Sequence, residues 1–330
     1  MTRRLLLLVM TLSLVGGGST VWSDSHRTEK VWVIGNLMLA AKRDDPIITG
    51  LLKGLRELGY AEGRNLRFEF RTAHGQFNQL QRLAEELAQL KPDVIVVTAP
   101  QPARAVLRAT PTVPVVAGAF DPVLMGMAKS LAHPGGQLTG LSAASPELYA
   151  KRLQLLQEMI PGLTRVAVLV DPDPLATRFR TKVVEDLKAA AMSMSITLRF
   201  VDARTPEDLQ EVFSAIERSN AQALLLLESP LFYVHRATVA KLALEAKLPA
   251  LYGTKAFSDA GGLMSYGVDY ADQAYRIARY VDKIFKGARP NELPIEQPTN
   301  FELIVNLKTA RALNVTIPDS ILARADAVLR

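Results

Sequence analysis

Residues able to do covalent chemistry are sparse in this chain, and their spacing suits it poorly. The four histidines, His26, His74, His133 and His235, form no HExxH or other paired metal-ligand pattern, so zinc catalysis has little to stand on. Cysteine is absent, which removes thiolate nucleophiles, thiolate-bound metals and disulfides together. There is no G-x-S-x-G elbow and no Walker loop, and Gly135, Gly136 and Gly140 lack the dinucleotide fingerprint spacing. What remains are groups suited to reversible binding. Asp121, directly after a strand and before Pro122, can cap the next helix or accept a ligand ammonium, and Asp269, before an amphipathic helix, has the same two uses. Thr98 and Ser229 can donate to a carboxylate or bond their own backbone. Tyr252, Tyr266 and Phe232 can stack on an aromatic ligand or pack a wall. Lys255 and Arg178 can hold an anion or stand solvated. This inventory implies no catalytic residue, no metal and no cofactor.

Such groups need a scaffold. After Lys30 the chain alternates short β-rich apolar runs with amphipathic stretches, as βαβ units do, which predicts a mainly parallel sheet. Strands are expected at Val31 to Gly35, Leu66 to Arg71, Val94 to Thr98 and Val113 to Gly118 in the first half. Those of the second half are expected at Arg165 to Val170, Ile196 to Val201, Ala223 to Leu227 and Pro249 to Tyr252. The first helix is sharply marked: Asp45 as N-cap, Pro46 at its first position, apolar residues from Ile47 to Leu58, and a stop at Gly59. Two α/β halves in the same order suggest paired doubly wound domains. The segment from Gly261 complicates a simple split, because it adds a strand at Leu263 to Tyr266, a helix from Tyr270 to Lys286 and a Pro-rich stretch before Phe301 to Leu307.

The N-terminus reads as a leader. Thr2-Arg3-Arg4 precedes the apolar run Leu5 to Val15, and small residues at Val21 and Ser23 stand before Asp24, the pattern of a cleaved secretory signal peptide over residues 1–23. The run is 11 residues long, too short for a membrane span. A lipoprotein would need a cysteine at the cut. The expected mature protein is soluble, exported to a periplasm-like compartment, and stabilised by core burial alone. The full chain carries a formal charge of +6, lowered by two when Arg3 and Arg4 leave with the leader. Its cations are scattered without a basic stripe, so nucleic acid is not an expected partner.

Several stretches together resemble a known family. They are Gly50-Leu51-Leu52-Lys53-Gly54-Leu55-Arg56-Glu57-Leu58-Gly59-Tyr60 with Glu62-Gly63-Arg64-Asn65, and Asp121-Pro122-Val123 followed by His133-Pro134-Gly135-Gly136-Gln137-Leu138-Thr139-Gly140. Later come Gly261-Gly262-Leu263-Met264-Ser265-Tyr266-Gly267, Gln297-Pro298-Thr299-Asn300-Phe301-Glu302-Leu303, Asn306-Leu307-Lys308-Thr309-Ala310 and Ile317-Pro318-Asp319-Ser320-Ile321-Leu322-Ala323-Arg324-Ala325-Asp326. From about Val31 to its end the chain resembles the periplasmic substrate-binding proteins of ABC transporters, in the group that includes tryptophan- and tyrosine-binding members.

The resemblance implies a type I periplasmic-binding fold: two Rossmann-like lobes joined by three crossover strands, with a ligand cleft between them. The N-terminal lobe would comprise 31–141 plus 265–289 and the C-terminal lobe 145–260 plus 295–330. The crossovers would fall near Leu141 to Ala144, Ala260 to Met264 and Pro290 to Pro298. Because ligands in open α/β sheets sit beyond the carboxyl ends of the strands, the post-strand loops should line the cleft. Those of the first lobe bring Met38, Leu39, Thr98, Ala99, Phe120 and Asp121, joined by Tyr266 and Asp269. Those of the second bring Asp171, Thr177, Ser229, Phe232, Tyr252 and Lys255. The implied function is reversible capture of a small molecule, an amino acid or an aromatic or other apolar carboxylate, and delivery by a monomer to an inner-membrane permease and its ATPase. A ligand-binding subunit for a membrane sensor is the alternative, ahead of a periplasmic enzyme. A repressor effector domain shares the architecture but would need a DNA-binding helix pair where this chain has its leader. Relatives often carry serines and glycines after the first strand, whereas this chain has Leu37 to Arg43 there, and Ala99 replaces a threonine before Pro100. Both departures remove hydroxyls, and Lys42 and Arg43 add charge, which points to an apolar, anionic ligand over a free amino acid.

Overall fold

Short runs of aliphatic residues build two sheets in the computed structural model, which describes residues 30–142, 146–173 and 177–330. The expected leader lies outside the described residues, as do parts of the first crossover and of the loop after Val170. The first sheet contains β1 (Trp32–Met38), β2 (Leu66–Thr72), β3 (Val94–Val97), β4 (Val115–Ala117) and β5 (Leu138–Gly140), in the order β2-β1-β3-β4-β5 and parallel throughout. The second contains β6 (Arg165–Val170), β7 (Thr197–Asp202), β8 (Ala223–Leu226), β9 (Ala250–Tyr252), β10 (Met264–Val268), β11 (Phe301–Asn306) and β12 (Ala327–Leu329). Its order is β12-β11-β10-β9-β8-β6-β7, with one antiparallel junction between β10 and β11. The helices used below are α1 (Pro46–Glu57), α2 (Leu80–Gln89), α3 (Pro100–Ala109), α4 (Glu147–Met159), α5 (Thr177–Ser193), α6 (Asp208–Glu217), α7 (Pro230–Val234), α8 (Arg236–Glu245), α9 (Lys255–Asp259) and α10 (Tyr270–Phe285).

Both faces of each sheet are covered, which is why its strands read as continuous apolar runs. On one face of the first sheet Ile34, Val94 and Val96 pack with Leu51 and Leu55 of α1 and Ile277 and Val281 of α10. On the other, Leu37, Ile95 and Val97 meet Leu83 and Leu87 of α2 and Val106 of α3. The second sheet repeats the scheme, Leu169 and Leu224 facing α6 and α8 while Val166, Val168 and Leu225 face α4 and α5. Helix α1 starts as its sequence predicts: Asp45 accepts from the Ile47 N–H at 3.1 Å, and the chain turns away at Gly59 with φ +93°. Gly50 and Gly54 of α1 have a packing reason. A Cβ at either would lie 2.6 Å from a backbone oxygen of α10, that of Ala271 or Tyr275.

The expected division of the tail needs one correction. Strand β10, expected with the first lobe, pairs with β9 and β11 in the second sheet, and helix α10 alone packs on the first. The second crossover therefore lies at Asp269, not at Ala260 to Met264. The other two run side by side: Ser142 donates its N–H to the Glu296 carbonyl at 2.8 Å, Glu296 donates to Gly140 at 3.1 Å, and Gln273 of α10 donates to the Ser142 carbonyl at 2.9 Å.

Candidate functional site

Each sheet reverses its order beside its first strand, between β1 and β3 in one and between β6 and β8 in the other. A crevice must open beyond the carboxyl ends of these strands. A cavity of about 180 Å³ occupies that place, lined from both lobes. The chain leaving β1 and β3 brings Met38, Leu39, Thr98, Ala99 and Gln101, and that leaving β6 and β8 brings Asp171, Asp173, Glu228 and Ser229. The lobes touch here. Gln101 donates through Nε2 to Asp173 Oδ2 at 2.7 Å, across the cleft.

The first-lobe wall is apolar, and its polar groups are largely committed. Met38, Leu39 and Phe120 are buried, and Thr98 turns its hydroxyl to Met38 Sδ at 3.2 Å. Asp121 lines the cavity but uses Oδ1 to accept from the N–H groups of Val123 and Leu124, both at 2.8 Å. Ala119, just before, holds φ +61°, a left-handed conformation uncommon for alanine that turns Phe120 and Asp121 toward the cleft mouth.

The second-lobe wall is charged. The described lining carries the acids Asp45, Asp121, Asp171, Asp173 and Glu228 against one arginine, Arg180. Asp171 accepts from the Asp173 N–H at 3.1 Å. Its pKa is raised by burial, against which a hydrogen bond from Ser229 works, with the Asp173 charge adding to the rise. Behind Glu228 stands Arg152, 1% exposed, which donates from Nε to the Tyr266 carbonyl at 2.7 Å and reaches Glu228 Oε2 with Nη2 at 3.4 Å. The guanidinium lies 4.6 Å from the Tyr149 ring centre; burial works to lower its pKa, but the Glu228 charge outweighs it and the pKa is raised. Tyr149 and Tyr270, both facing the cavity, have raised pKa values, first from burial and then from the Glu228 charge. Among the described residues, Gln101 Oε1, Arg180 Nη1, Glu228 Oε1 and Thr254 Oγ1 are buried atoms of lining residues without a hydrogen-bond partner.

Of the residues singled out in the sequence, Met38, Leu39, Thr98, Ala99, Phe120, Asp121, Asp171 and Ser229 come together in this lining. Six others lie outside it. Phe232 and Tyr252 are fully buried in the second-lobe core, Tyr252 stacked on Phe257 at 4.8 Å, and it is Phe257 that reaches the cavity. Lys255 is paired with Asp259 at 2.6 Å, Asp269 caps α10, and Tyr266 lies 6.2 Å from Phe301. Thr177 opens α5 on an exposed turn, one helical turn before Arg180. Lys42 and Arg43 are exposed, and Arg43 pairs with Glu62 at 2.6 Å over the Phe68 ring, so neither adds charge to the lining. The charge expected from them is therefore absent from the lining, whose cation is Arg180.

A family described as ABC transporter substrate binding protein matches residues 38–329. The chain belongs to that family. Among curated relatives of this substrate-binding protein is the tyrosine-binding protein of Clostridioides difficile, 24% identical over 267 residues, which are 81% of this chain and 76% of that one. Its fold is shared with a conserved domain protein from Vibrio cholerae, at 29% identity and TM-score 0.84 over 91% of this chain and all of the other. An ABC domain from Streptococcus pneumonia in complex with L-Trp matches at 24% identity and TM-score 0.83, over the same shares. These neighbours carry the same two-lobed architecture.

Proposed function

We propose that this substrate-binding protein captures an amino acid or another small apolar carboxylate between its lobes and delivers it to an inner-membrane permease driven by an ATPase. One observation carries the reading. The lobe-lobe cleft joins apolar surface to lining residues that each hold a buried polar atom without a partner among the described residues, Gln101 Oε1 from the first lobe and Arg180 Nη1 from the second. Ligand pockets have that composition, since apolar area supplies affinity and a few polar groups fix orientation. Arg180 is the group for a ligand carboxylate, because a guanidinium offers the fork that matches it. Phe120, Phe179 and Phe257 supply surface for an apolar or aromatic side chain. A solute touching both walls stabilises the closed arrangement over the open one, which couples binding to recognition by a permease. The leader-like N-terminus fits export to the periplasm, where such capture takes place. The L-Trp-bound and tyrosine-binding relatives support the ligand class.

A thermal-shift screen of the purified protein against amino acids, aromatic carboxylates, short fatty acids, purines and sugars tests the reading, because a cleft ligand raises Tm by mass action. A saturable rise with an apolar carboxylate or amino acid is expected, and the ligand should be recovered unchanged. A flat screen, or turnover of the ligand, would overturn it.

A further inference from the structure

One contact inside the cleft joins the lobes without needing a solute. Gln101 Nε2 donates to Asp173 Oδ2 at 2.7 Å, and each partner is anchored in its own lobe. Gln101 stands in the first turn of α3, directly behind Pro100, and is 6% exposed. Asp173, three residues past the end of β6, donates its own N–H to Asp171 at 3.1 Å. An ionised carboxylate only accepts, so the amide nitrogen of Gln101 is the end that must face it. The lobes approach at two further places. A Cβ at Gly75 of the first lobe would lie 3.9 Å from Val234 of α7, and one at Gly126 would lie 3.8 Å from Arg178 Nη1 of α5. Those are van der Waals distances, to which the amide–carboxylate contact adds direction and charge.

We infer that Gln101 and Asp173 form a solute-independent latch, so that the ligand-free chain already visits the closed arrangement and a solute selects it. The bond breaks to water when the lobes part and forms again when they meet, whatever the cleft holds. Hydration of both groups in the open arrangement offsets much of it. Burial of Gln101 and the charge on Asp173 leave a net gain, because a hydrogen bond to a charged group keeps a worth of about tenfold in an equilibrium. The closed-to-open ratio rises by about that factor, and apparent affinity scales with the closed fraction. The inference goes beyond solute capture, in which the solute drives closure: here part of the closing free energy resides in a fixed pair of side chains. It rests on the capture reading only where solute affinities are compared.

The test is a distance between two spin labels, one on each lobe, measured by double electron–electron resonance. The chain has no cysteine of its own, and N78C with K241C places the labels at exposed positions outside the cleft. Ligand-free protein should show a short distance, alone or beside a longer one, matching that seen with a saturating hit from the thermal-shift screen. D173A should lower the short-to-long ratio by about tenfold, and Q101E, which sets one carboxylate against another, at least as much. D173N keeps an acceptor and should fall between. Saturating solute should restore the short distance in D173A. By calorimetry, D173A should raise Kd for every solute by one common factor of about threefold to tenfold, since closure and not contact is lost. A single long distance in the ligand-free wild type, or a ratio unchanged in D173A and Q101E, would overturn the latch; shortening by solute would still leave capture intact. A factor that differs between solutes would make Asp173 a solute contact and overturn it too. If D173A does not fold, Q101E and D173N decide. If no solute shortens the distance, the capture reading falls, and the ligand-free ratios alone judge the latch.

Discussion

The two walls of the cleft are built on the same topological plan and carry different contents. In the first lobe the loops after β1, β3 and β4 offer Met38, Leu39, Ala99 and Phe120, and the two acids there, Asp45 and Asp121, are spent on capping their own segments. In the second lobe the loops after β6 and β8 offer Asp171, Asp173, Glu228 and nearby Arg180, with a guanidinium buried behind them. Both lobes supply apolar surface, Phe120 from the first and Phe179 and Phe257 from the second, while the second adds Arg180 and the acids Asp171, Asp173 and Glu228. A solute must use both walls to gain full affinity, which ties recognition of the complete ligand to closure.

The largest effect should come from the buried charge that supports the polar wall. Arg152→Met leaves Glu228 without its counter-charge in a mostly buried site, a change of about 3 kcal/mol in stability by the general cost of breaking such pairs. Denaturant unfolding should show a lowered midpoint, and urea midpoints equal to wild type would mean that the pair is not holding the wall. Next come two substitutions, one on each wall. Arg180→Ala should weaken binding of a carboxylate ligand by about 2 kcal/mol, and Phe120→Ala by about 1.5 kcal/mol for an aromatic one. The sharper outcome is their selectivity. Arg180→Ala should erase discrimination between an acid and its amide, whereas Phe120→Ala should erase discrimination between aromatic and small side chains. If both variants lose both kinds of discrimination equally, the division between the walls is wrong.

That division was only half legible in the sequence. The strands could be read because each is buried on both faces, so Val94 to Val97 and Ala223 to Leu226 appear as unbroken aliphatic runs. The start of α1 could be read because Asp45-Pro46 and Gly59 are local signals. The sheet to which β10 belongs could not, since a strand's partners are set by pairing across the fold and not by its own period. The apolar wall was found by the rule that loops follow strands. Part of the charged wall was missed for a physical reason: Asp173, Arg180 and Glu228 were not singled out, because nothing local marks them, and Glu228 is distinguished only once Arg152, 76 positions earlier, is brought behind it. Tyr252 and Phe232 erred in the other direction, because an aromatic at a strand or helix end can turn either into the cleft or into the core, and here both turn into the core.

The lobes also differ in how their outer helices are held. Helix α10 belongs to the tail yet packs on α1 through Gly50 and Gly54, so the first lobe depends on a segment that arrives only after the second crossover. Gly54→Val should cost about 2 kcal/mol, because its β-carbon would meet the Tyr275 carbonyl and Ala278 Cβ, both backbone-fixed. Loss of amide-exchange protection should be concentrated in α1 and α10. Uniform loss across both lobes would show that the two cores unfold as one unit, consistent with the cluster that runs through them.

The smallest effect lies on the second lobe, outside the cleft, where charge again accumulates. Glu302 on β11 faces Gly267 of β10, and its carboxyl is pushed up to about 7, first by burial and then by Asp269, with Asp326 and Asp259 adding to the rise and Lys255 opposing it. A carboxyl whose folded pKa exceeds its unfolded value holds its proton better in the folded chain. The folded state is therefore favoured below the unfolded pKa, loses that advantage as pH rises toward 7, and is flat beyond it. The group is half-buried, so the swing should be screened to about 1 kcal/mol or less, roughly 2 °C in Tm for a chain of this size. Glu302→Gln mimics the protonated form. Its Tm should match wild type near pH 4, exceed it increasingly from about 4.5 to about 7, and keep a constant margin above that. A Tm difference constant from about pH 4 to about 7 would mean that the repulsion around Asp269 is not felt by the fold, and that the accumulation of charge in the second lobe matters only in the cleft.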